Sequence, residues 1–388
     1  MEFLASAAFG LEGLVKRDLE RLGAEGIHPR ASGGVSFEGD LALGFRANLW
    51  LRTADRVLLV MGRFEARSFE ELFEGVKKLP WSDILPKDAC LPVKAQCARS
   101  QLMSPSDCQS IVKKAVVERI KADNHIDWLP ETGATHEIDV AIHEDVVTVS
   151  LNTSGPALNR RGYRTWNGEA PLRETLAAAL VFCSPWRTKM RLVDPCCGTG
   201  TLLIEAAYVA LDRAPGLTRE FDMEKWPAAP KEAMLLARSE ARKRYALGKE
   251  RPIDIVGSDN DPSALELAKK HVAQAGLEGM ITLSLRDVAD LTLTGEAGVI
   301  LTNPPYGDRM GDRKVAQAVA RKLGALYNRS WGWALCAITT SDKSFEIAFG
   351  SRADKRRRLY NGRIECEFLT FSAPGDKKSA ARPTAKRL

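Results

Sequence analysis

The sequence lacks the long apolar runs of membrane proteins, and it has few cysteines and histidines. No uninterrupted hydrophobic stretch reaches the roughly 20 residues that a membrane-spanning helix needs. The eight cysteines include no C-x-x-C pair and the five histidines are isolated, so we expect no metal site. The N-terminus carries Glu2 early and lacks the basic segment of a signal peptide. We therefore expect a cytoplasmic protein that does not associate with membranes.

The chain of 388 residues is too long for one ordinary core, which predicts two or three domains. The net charge of +6 is unevenly distributed. Residues 1–165 contain 21 Lys and Arg against 23 Asp and Glu, so the basic excess lies in the C-terminal part. A basic protein is a candidate for binding nucleic acid, although a charge of this size is weak evidence alone. No feature indicates an obligate protein partner, and the oligomeric state stays open.

Residues 1–155 show the mixed pattern of an α+β fold. The stretch "GLEGLVKRDLERLG" carries leucines at helical spacing and ends at Gly23. The stretch "SFEELFEGVKKL" predicts another helix, with Ser68 as N-cap and Glu71 at the capping-box position. The alternating stretch "HEIDVAIHEDVVTVSLN" predicts paired strands.

From about Met190 the pattern changes to strands that alternate with helices. The stretches "MRLVD", "IDIVGSD", "ITLSLRD", "AGVILTN" and "WGWALCAITT" predict five strands, and this spacing is typical of a parallel α/β sheet. Asn361-Gly362 lies between two further strand-like runs, which predicts a hairpin and an antiparallel end to the sheet. Residues 373–388 have no apolar period and are basic, so we expect a disordered tail.

A glycine turn, "DPCCGTGT", follows the first of these strands and opens a helix. Small residues there let a ligand approach the backbone N–H groups closely. Leu203 occupies the place of the third glycine of a dinucleotide motif, so a nicotinamide dinucleotide is disfavoured. Asp259 ends the second strand, where a carboxylate suits ribose hydroxyls, and Asp287 ends the third. The alternative is that these acids cap the following helices, and for Asp261 we prefer this alternative.

The stretch "TNPPY" ends the fourth strand with two prolines that cannot continue a sheet ladder. The Asn303 side-chain oxygen and the Pro304 carbonyl are acceptors that could converge on one exocyclic amino group of a nucleobase. Accepting both N–H groups would localise the nitrogen lone pair for attack on a methyl group carried by a sulfonium. Tyr306 offers an aromatic face for stacking. A Pro-Pro segment that only ends a strand would explain the stiffness, but not the Asn and Tyr.

Three segments, "DPCCGTGTLLIEAA", "GSDNDPSALELAKKHVAQAGL" and "TNPPYGDRM", resemble the AdoMet-dependent class I amino-methyltransferases. The similarity is closest to the bacterial RNA guanine-N2 methyltransferases with an N-terminal THUMP domain, and it covers nearly the whole chain. It implies a Rossmann-like class I methyltransferase sheet of seven strands, the last antiparallel, after an α+β ferredoxin-like and THUMP half. The implied domains are a ferredoxin-like segment (1–55), a THUMP RNA-binding domain (56–155), a linker with the first catalytic helix (156–188), the methyltransferase domain (189–372) and the basic tail (373–388).

The resemblance also implies AdoMet as the cofactor, without a metal, and a set of site residues. The target base would be held by Asn303, Pro304 and Tyr306. Asp259 would take the ribose hydroxyls, and Asp287 would lie near the adenine amine. The remaining implied cofactor contacts, some of them on the methionine part, are Asp194, Cys196, Gly198, Gly200, Thr201, Asn260 and Asn303.

The expected partner is RNA, with large-subunit (23S) ribosomal RNA as the expected substrate. A local basic patch on the N-terminal half would comprise Lys94, Arg99, Lys113 and Lys114. The stretch "NRRGYR" adds Arg160, Arg161 and Arg164, which either contact RNA or form a salt-bridged linker. The stretch "KRRR", residues 355–358, is typical of a charged edge strand.

The sequence thus predicts methyl transfer from AdoMet to the exocyclic N2 amine of a guanosine in structured RNA. An adenine-N6 DNA or RNA methyltransferase is the alternative, because the N-P-P-Y motif also occurs in DNA adenine-N6 and cytosine-N4 enzymes. The THUMP-like half favours RNA, since no sequence-reading DNA domain is evident. An RNA-binding assembly factor with an inactive methyltransferase fold is a third alternative, and the intact acids and N-P-P-Y motif count against it.

Overall fold

The computed structural model describes residues 1–30, 33–164, 172–306, 310–362 and 364–374, with the backbone alone at 310–312. The chain forms two compact units. The N-terminal unit comprises Met1–Ala7, Val15–Leu158 and Pro215–Glu240, and the C-terminal unit comprises Ala8–Leu14, Asn159–Ala214 and Ala241–Leu388. No helix within the described ranges is long and apolar enough to cross a membrane. Most of the predicted basic tail, residues 375–388, lies outside the described residues.

The N-terminal unit contains one seven-stranded sheet with the order β2-β3-β1-β4-β7-β6-β5. Its strands are β1 (Glu2–Ser6), β2 (Glu25–Pro29), β3 (Val35–Glu38), β4 (Arg56–Glu65), β5 (Val93–Ala98), β6 (Ile138–His143) and β7 (Val146–Asn152). The first four helices of the chain are α1 (Glu12–Leu22), α2 (Leu41–Trp50), α3 (Phe69–Lys77) and α4 (Pro105–Asn124). The predicted capping box at α3 is confirmed, because Ser68 accepts from Glu71 N and Glu71 accepts from Ser68 N.

The segment Pro215–Glu240 packs into the core of the N-terminal unit, although it follows the first strand of the C-terminal unit, β8, in sequence. The rings of Phe221 and Phe45 make an edge contact with centroids 5.6 Å apart. The indole of Trp226 donates to His136 Nδ1 at 3.2 Å. Burial, with the nearby charge of Lys225, lowers the pKa of His136 to about 4, so this imidazole is a neutral acceptor. The exact domain boundaries that the sequence predicts stay predictions.

The C-terminal unit contains the second sheet, with the order β10-β9-β8-β11-β12-β14-β13. Its strands are β8 (Arg191–Asp194), β9 (Ile255–Asp259), β10 (Ile281–Leu285), β11 (Gly298–Thr302), β12 (Trp333–Thr340), β13 (Lys355–Asn361) and β14 (Ile364–Phe371). The first five are parallel, and β14 runs antiparallel to both β12 and β13. The expected seven-stranded sheet with an antiparallel last strand is therefore confirmed.

The predicted hairpin at the end of this sheet is shifted by one residue. Asn361 is the last residue of β13 and pairs with Ile364, so the turn begins at Gly362, whose φ is +65°. The next turn residue, 363, lies outside the described residues.

The described residues form six further α-helices: α5 (Glu174–Cys183), α6 (Thr201–Ala210), α7 (Lys231–Lys249), α8 (Pro262–Gln274), α9 (Met310–Arg329) and α10 (Ser344–Phe349). Helix α8 begins as the sequence predicts, with Asp261 capping Ser263 N and Pro262 at the first helical position. Because β8, β9, β11 and β12 are parallel, their carboxyl ends meet at one edge of the sheet, where the predicted site residues lie.

Candidate active site

A cavity of about 420 Å³ opens at the carboxyl ends of β8 and β9 and reaches the end of β11. Five of the predicted site residues line it together: Asp194, Cys196, Gly198, Thr201 and Asn303. The sequence predicted Asp261 only as a helix cap and did not single out the other lining residues: Leu172, Cys197, Thr199, Leu202, Ser263, Ala264 and Leu267. The volume lies within the range typical of small-molecule sites.

The glycine turn between β8 and α6 depends on two left-handed glycines. Gly198 has φ +48° and Gly200 has φ +83°, a conformation that L side chains rarely adopt. The backbone N of Gly198 donates to Asp259 Oδ2 at 2.8 Å, which ties the turn to the end of β9. His271, fully buried on α8, places its Nδ1 3.1 Å from the Thr199 carbonyl oxygen. His271 could not be singled out from the sequence, because nothing in its helix distinguishes it from an ordinary core residue.

Asp194 is buried at the end of β8, and its Oδ1 accepts two hydrogen bonds. The donors are Cys196 N at 3.1 Å and the Thr302 hydroxyl at 2.7 Å. Burial raises the pKa of Asp194 to about 7, the negative charge of Asp259 adds to this rise, and the two hydrogen bonds oppose it. Thr302 thus joins the end of β11, just before Asn303, to the end of β8. The only feature of the sequence that indicated a partner for Asp194 was the hydroxyl of Thr302 at the end of the otherwise apolar β11.

The other predicted acids are next to the cavity, but none is among the residues that line it in the described structure. Asp259 accepts from Gly198 N, as above, and its Oδ1 accepts from Asp261 N at 3.0 Å. Asp287 caps a short turn by accepting from Ala289 N, and it pairs with Lys322 at 2.7 Å. The Lys322 hydrogen bond is the main cause of the lowered pKa of Asp287. The capping alternative therefore describes Asp287 in this structure, and its contact with adenine stays a prediction.

Asn260 contacts Asp287 and not the cavity wall: its Nδ2 lies 3.4 Å from Asp287 Oδ2. Its predicted cofactor contact also stays a prediction.

The segment after β11 leaves the sheet where the sequence predicts. Strand β11 ends at Thr302, Pro304 is buried and Pro305 is exposed. The Tyr306 hydroxyl donates to Asn303 Oδ1 at 2.5 Å. A carbonyl oxygen has two lone pairs, so this bond leaves Asn303 Oδ1 able to accept a second hydrogen bond.

Two of the predicted RNA contacts are interior residues. Arg161 is buried, and its Nε lies 3.4 Å from Glu205 Oε1, which also accepts from the Tyr163 hydroxyl at 3.1 Å. Arg164 lies 3.5 Å from Glu174 and donates to the Thr201 hydroxyl. The guanidinium groups of both arginines face carboxylates, as the salt-bridge interpretation predicts, and the buried position of Arg161 argues against its direct contact with RNA. Contact between Arg164 and RNA stays a prediction.

The other predicted RNA contacts are accessible, but several are engaged with the protein. Lys94 pairs with Glu137 at 2.5 Å, Lys113 pairs with Glu131 at 2.9 Å, and the Lys114 ammonium lies 5.7 Å from the Phe73 ring centre. Arg99 is 77% exposed and lies 3.7 Å from Glu144, which is 63% exposed, and Arg160 is also exposed. Their contacts with RNA stay predictions. The "KRRR" stretch lies exposed on β13 at the edge of the sheet, as the charged-edge interpretation predicts.

Comparison with known proteins identifies the family. Residues 161–370 match the family described as RMKL-like, methyltransferase domain. The chain belongs to this methyltransferase family. Residues 2–58 match the RlmL ferredoxin-like domain and residues 66–152 match the THUMP domain, which confirms the resemblance seen in the sequence.

The relatives of this RMKL-like methyltransferase carry names of RNA-modifying enzymes. The "Putative RNA methyltransferase YpsC" of Bacillus subtilis (strain 168) is 38% identical, over 95% of each chain. The "Ribosomal RNA large subunit methyltransferase K/L" of Methylococcus capsulatus is 36% identical over 95% of this chain. The chain spans about half the length (51%) of that relative. The predicted enzyme class, an RNA methyltransferase, is confirmed by these matches.

Solved structures agree with this fold along the whole chain. A "predicted N6-adenine-specific DNA methylase" from Listeria monocytogenes str. 4b F2365 is 42% identical, with a TM-score of 0.91 over 96% of each chain. A "putative methyltransferase complexed with SAH" is 36% identical, with a TM-score of 0.90 over 96% of this chain and 98% of that one.

Proposed function

We propose that this protein transfers the methyl group of AdoMet to the exocyclic N2 amine of a guanosine in large-subunit ribosomal RNA. The observation that carries this proposal is the position of Asn303, which lies on the wall of the same cavity as the glycine turn. An acceptor for an amino group and a cofactor-sized site are thereby brought together at the end of β11. The relatives named for large-subunit ribosomal RNA support the choice of substrate.

The residues of the cavity fit AdoMet by shape and by donor chemistry. A Cβ atom added at Gly198 would meet no atom within 4 Å, so the turn leaves open space in front of its backbone. Asp194 offers a carboxylate for a cationic amino group at one end of the cavity, and Asp259 stands at the end of β9 for ribose hydroxyls. The structure that is complexed with SAH, at 36% identity, supports the same cofactor. When bound, AdoMet supplies an electrophilic methyl group on a sulfonium.

The chain's own groups orient the target amine. Asn303 Oδ1 and the Pro304 carbonyl accept the two N–H groups, which turns the nitrogen lone pair toward the cofactor cavity. Tyr306 stacks on the base, while its hydroxyl keeps the Asn303 amide in one orientation. The buried Thr302 fixes the start of this segment against Asp194.

Adenine-N6 methylation is a second candidate, and one observation favours it. The Listeria structure with 42% identity carries the name of an N6-adenine DNA methylase. The THUMP match favours RNA over DNA as the substrate class. Product analysis separates the two. Label from tritiated AdoMet is followed into total RNA and genomic DNA from a strain that lacks the gene, and the methylated nucleoside is identified by chromatography. N2-methylguanosine in large-subunit RNA supports the proposal, whereas N6-methyladenine in DNA contradicts it.

Asn303→Ala tests the site itself. Because this change removes one of the two acceptors, we expect turnover to fall at least about a hundredfold. The affinity for S-adenosylhomocysteine, measured by calorimetry, should change by only a small factor. The exposed neighbour provides the control, since Pro305→Ala keeps the acceptors and should keep most of the activity. An Asn303→Ala variant that retains most of its turnover would contradict the two-acceptor mechanism.

A further inference from the structure

The target nucleotide must reach Asn303 from the side of the sheet that the cofactor cavity leaves free. Strand β11 pairs with β8 on one side and with β12 on the other. The cavity occupies the β8 side. The free approach therefore passes over the end of β12, which makes the loop after β12 the next place to search for substrate contacts.

The pairing register places this loop at the same edge of the sheet as the N-P-P-Y segment. Thr302 is level with Ala337, and β12 continues beyond that point to Thr340. Residues 341–343 follow at the same edge of the sheet. They are all exposed, as expected of a loop that meets a macromolecular substrate.

Lys343 is held in an unusual conformation within this loop. Its φ of +59° and ψ of 0° lie in the left-handed region, which is strained for lysine. Asp342 maintains the conformation, because its Oδ1 accepts from the Thr340 hydroxyl and from both the backbone N and the hydroxyl of Ser344. A glycine or an asparagine would adopt this backbone more easily, so the lysine is not explained by the turn itself.

The ammonium group of Lys343 is available to a ligand. It makes no ion pair with any acidic side chain in the described parts of the chain, in contrast to Lys322, which pairs with Asp287. The neighbouring Asp342 is already engaged by its hydroxyl and amide donors. Burial opposes the ionisation of Asp342, but these hydrogen bonds and the charge of Arg313 lower its pKa overall. The loop after β12 thus presents the exposed Lys343 beside a carboxylate, Asp342, that already accepts hydrogen bonds from within the loop.

We propose that Lys343 binds a phosphate of the RNA backbone next to the target nucleotide and so positions the base against Asn303. This inference rests on the proposed function, and it assigns the loop after β12 as the phosphate-binding site of that function. Lys343 is a positioning residue: it lies at the edge of the site and takes no part in the chemistry.

Three substitutions of Lys343 separate the effect of its charge from the effect of its backbone conformation. Lys343→Gly and Lys343→Asn relieve the strain and remove the ammonium, whereas Lys343→Arg keeps a cation on the strained backbone. We expect the two neutral variants to bind protein-free large-subunit ribosomal RNA about fivefold to tenfold more weakly. The slope of log K against log salt should fall by about 0.7, as for one lost phosphate contact. Lys343→Arg should stay within about twofold of the parent protein.

The same variants exclude a merely structural role. We expect the neutral variants to keep or raise the melting temperature, because the strain is gone, while their KM for RNA rises and kcat stays within about twofold. Their affinity for S-adenosylhomocysteine should be unchanged. Lys249→Ala is the matched control, since Lys249 ends α7 shortly before β9 begins, toward the opposite edge of the sheet.

Two outcomes would overturn the inference, and a third would remove its basis. Neutral variants that bind RNA as tightly as the parent, with the same salt slope, would show that Lys343 holds no phosphate. A Lys343→Arg variant as weak as Lys343→Gly would assign the effect to shape and not to charge. If the parent protein labels no RNA at all, the proposed function fails first and this inference fails with it.

Discussion

The Asp194 carboxylate is buried against the glycine turn, yet it would face a cationic amino group when AdoMet is bound. Burial raises the pKa of this carboxyl to about 7, so near neutral pH it is only partly ionised. Because this folded-state pKa exceeds the ordinary value of 3.8, the group adds stability at low pH and loses it as the pH rises toward 7. The affinity for AdoMet should instead rise with pH, since only the ionised form of Asp194 attracts the cationic amino group.

We therefore expect the affinity for S-adenosylhomocysteine to be about tenfold higher at pH 8 than at pH 6, levelling above pH 8. Calorimetric titrations at pH 6, 7 and 8 measure this. Asp194→Asn should bind more weakly and lose the dependence. Asp287→Asn is the control, because a lowered pKa keeps Asp287 ionised over this range and its loss should leave the dependence intact. An affinity of the parent protein that is flat from pH 6 to 8 would count against contact between Asp194 and the amino group.

At the scale of elements, the turn between β13 and β14 depends on the left-handed conformation of Gly362. Gly362 has φ +65°, and a Cβ atom added there would meet no atom within 4 Å. Any cost of substitution is therefore conformational and not steric. The hairpin closes the sheet edge that carries the exposed basic stretch of β13.

Gly362→Ala should lower the free energy of unfolding by about 1 kcal/mol, and Gly362→Asn by less, because asparagine tolerates the left-handed region. Chemical denaturation monitored by circular dichroism measures both. Gly13→Ala is the matched control, since Gly13 also has open space but lies inside α1 without a positive φ. That change should be neutral or stabilising by about 0.5–1 kcal/mol. Equal effects at the two glycines would contradict the conformational explanation.

Strand β2 shows why some elements could not be predicted. Its sequence, "EGIHP", contains a glycine and a proline and has no alternation, and the burial pattern of the strand is mostly exposed. It forms because β3 offers it a partner edge. The strands around the site were predictable for the opposite reason: β11, for example, is an entirely buried apolar run that the two prolines end.

At the scale of the whole molecule, the segment Pro215–Glu240 lies within the matched methyltransferase region but belongs to the compact N-terminal unit. Its buried Trp226 contacts His136, and Phe221 contacts Phe45. An experiment that removes residues 1–165 alone would therefore leave these aromatic side chains without partners. Truncation tests of RNA selectivity should remove both parts.

Trp226→Ala should destabilise the N-terminal unit by about 3–5 kcal/mol, because it leaves a large cavity and an unpaired imidazole. Hydrogen exchange should show lost protection in α2 and β6 while β8 and β11 stay protected. The control is Trp331→Ala: this indole is 71% exposed, so we expect a change of no more than about 0.5 kcal/mol. Lost protection confined to the C-terminal unit would contradict the assignment of this segment to the N-terminal core.

The sequence by itself determined the second sheet, the glycine turn, the N-P-P-Y segment and the family, because each depends on local periodicity or on residues close together in the chain. It could not determine contacts that join distant segments. Only the tertiary structure showed that β4 pairs with both β1 and β7, so that the ferredoxin-like and THUMP strands form one sheet. Only it paired Thr302 with Asp194 and turned Arg161 toward Glu205. Such contacts are decided by packing, since a buried polar group must find its partner wherever the fold places one.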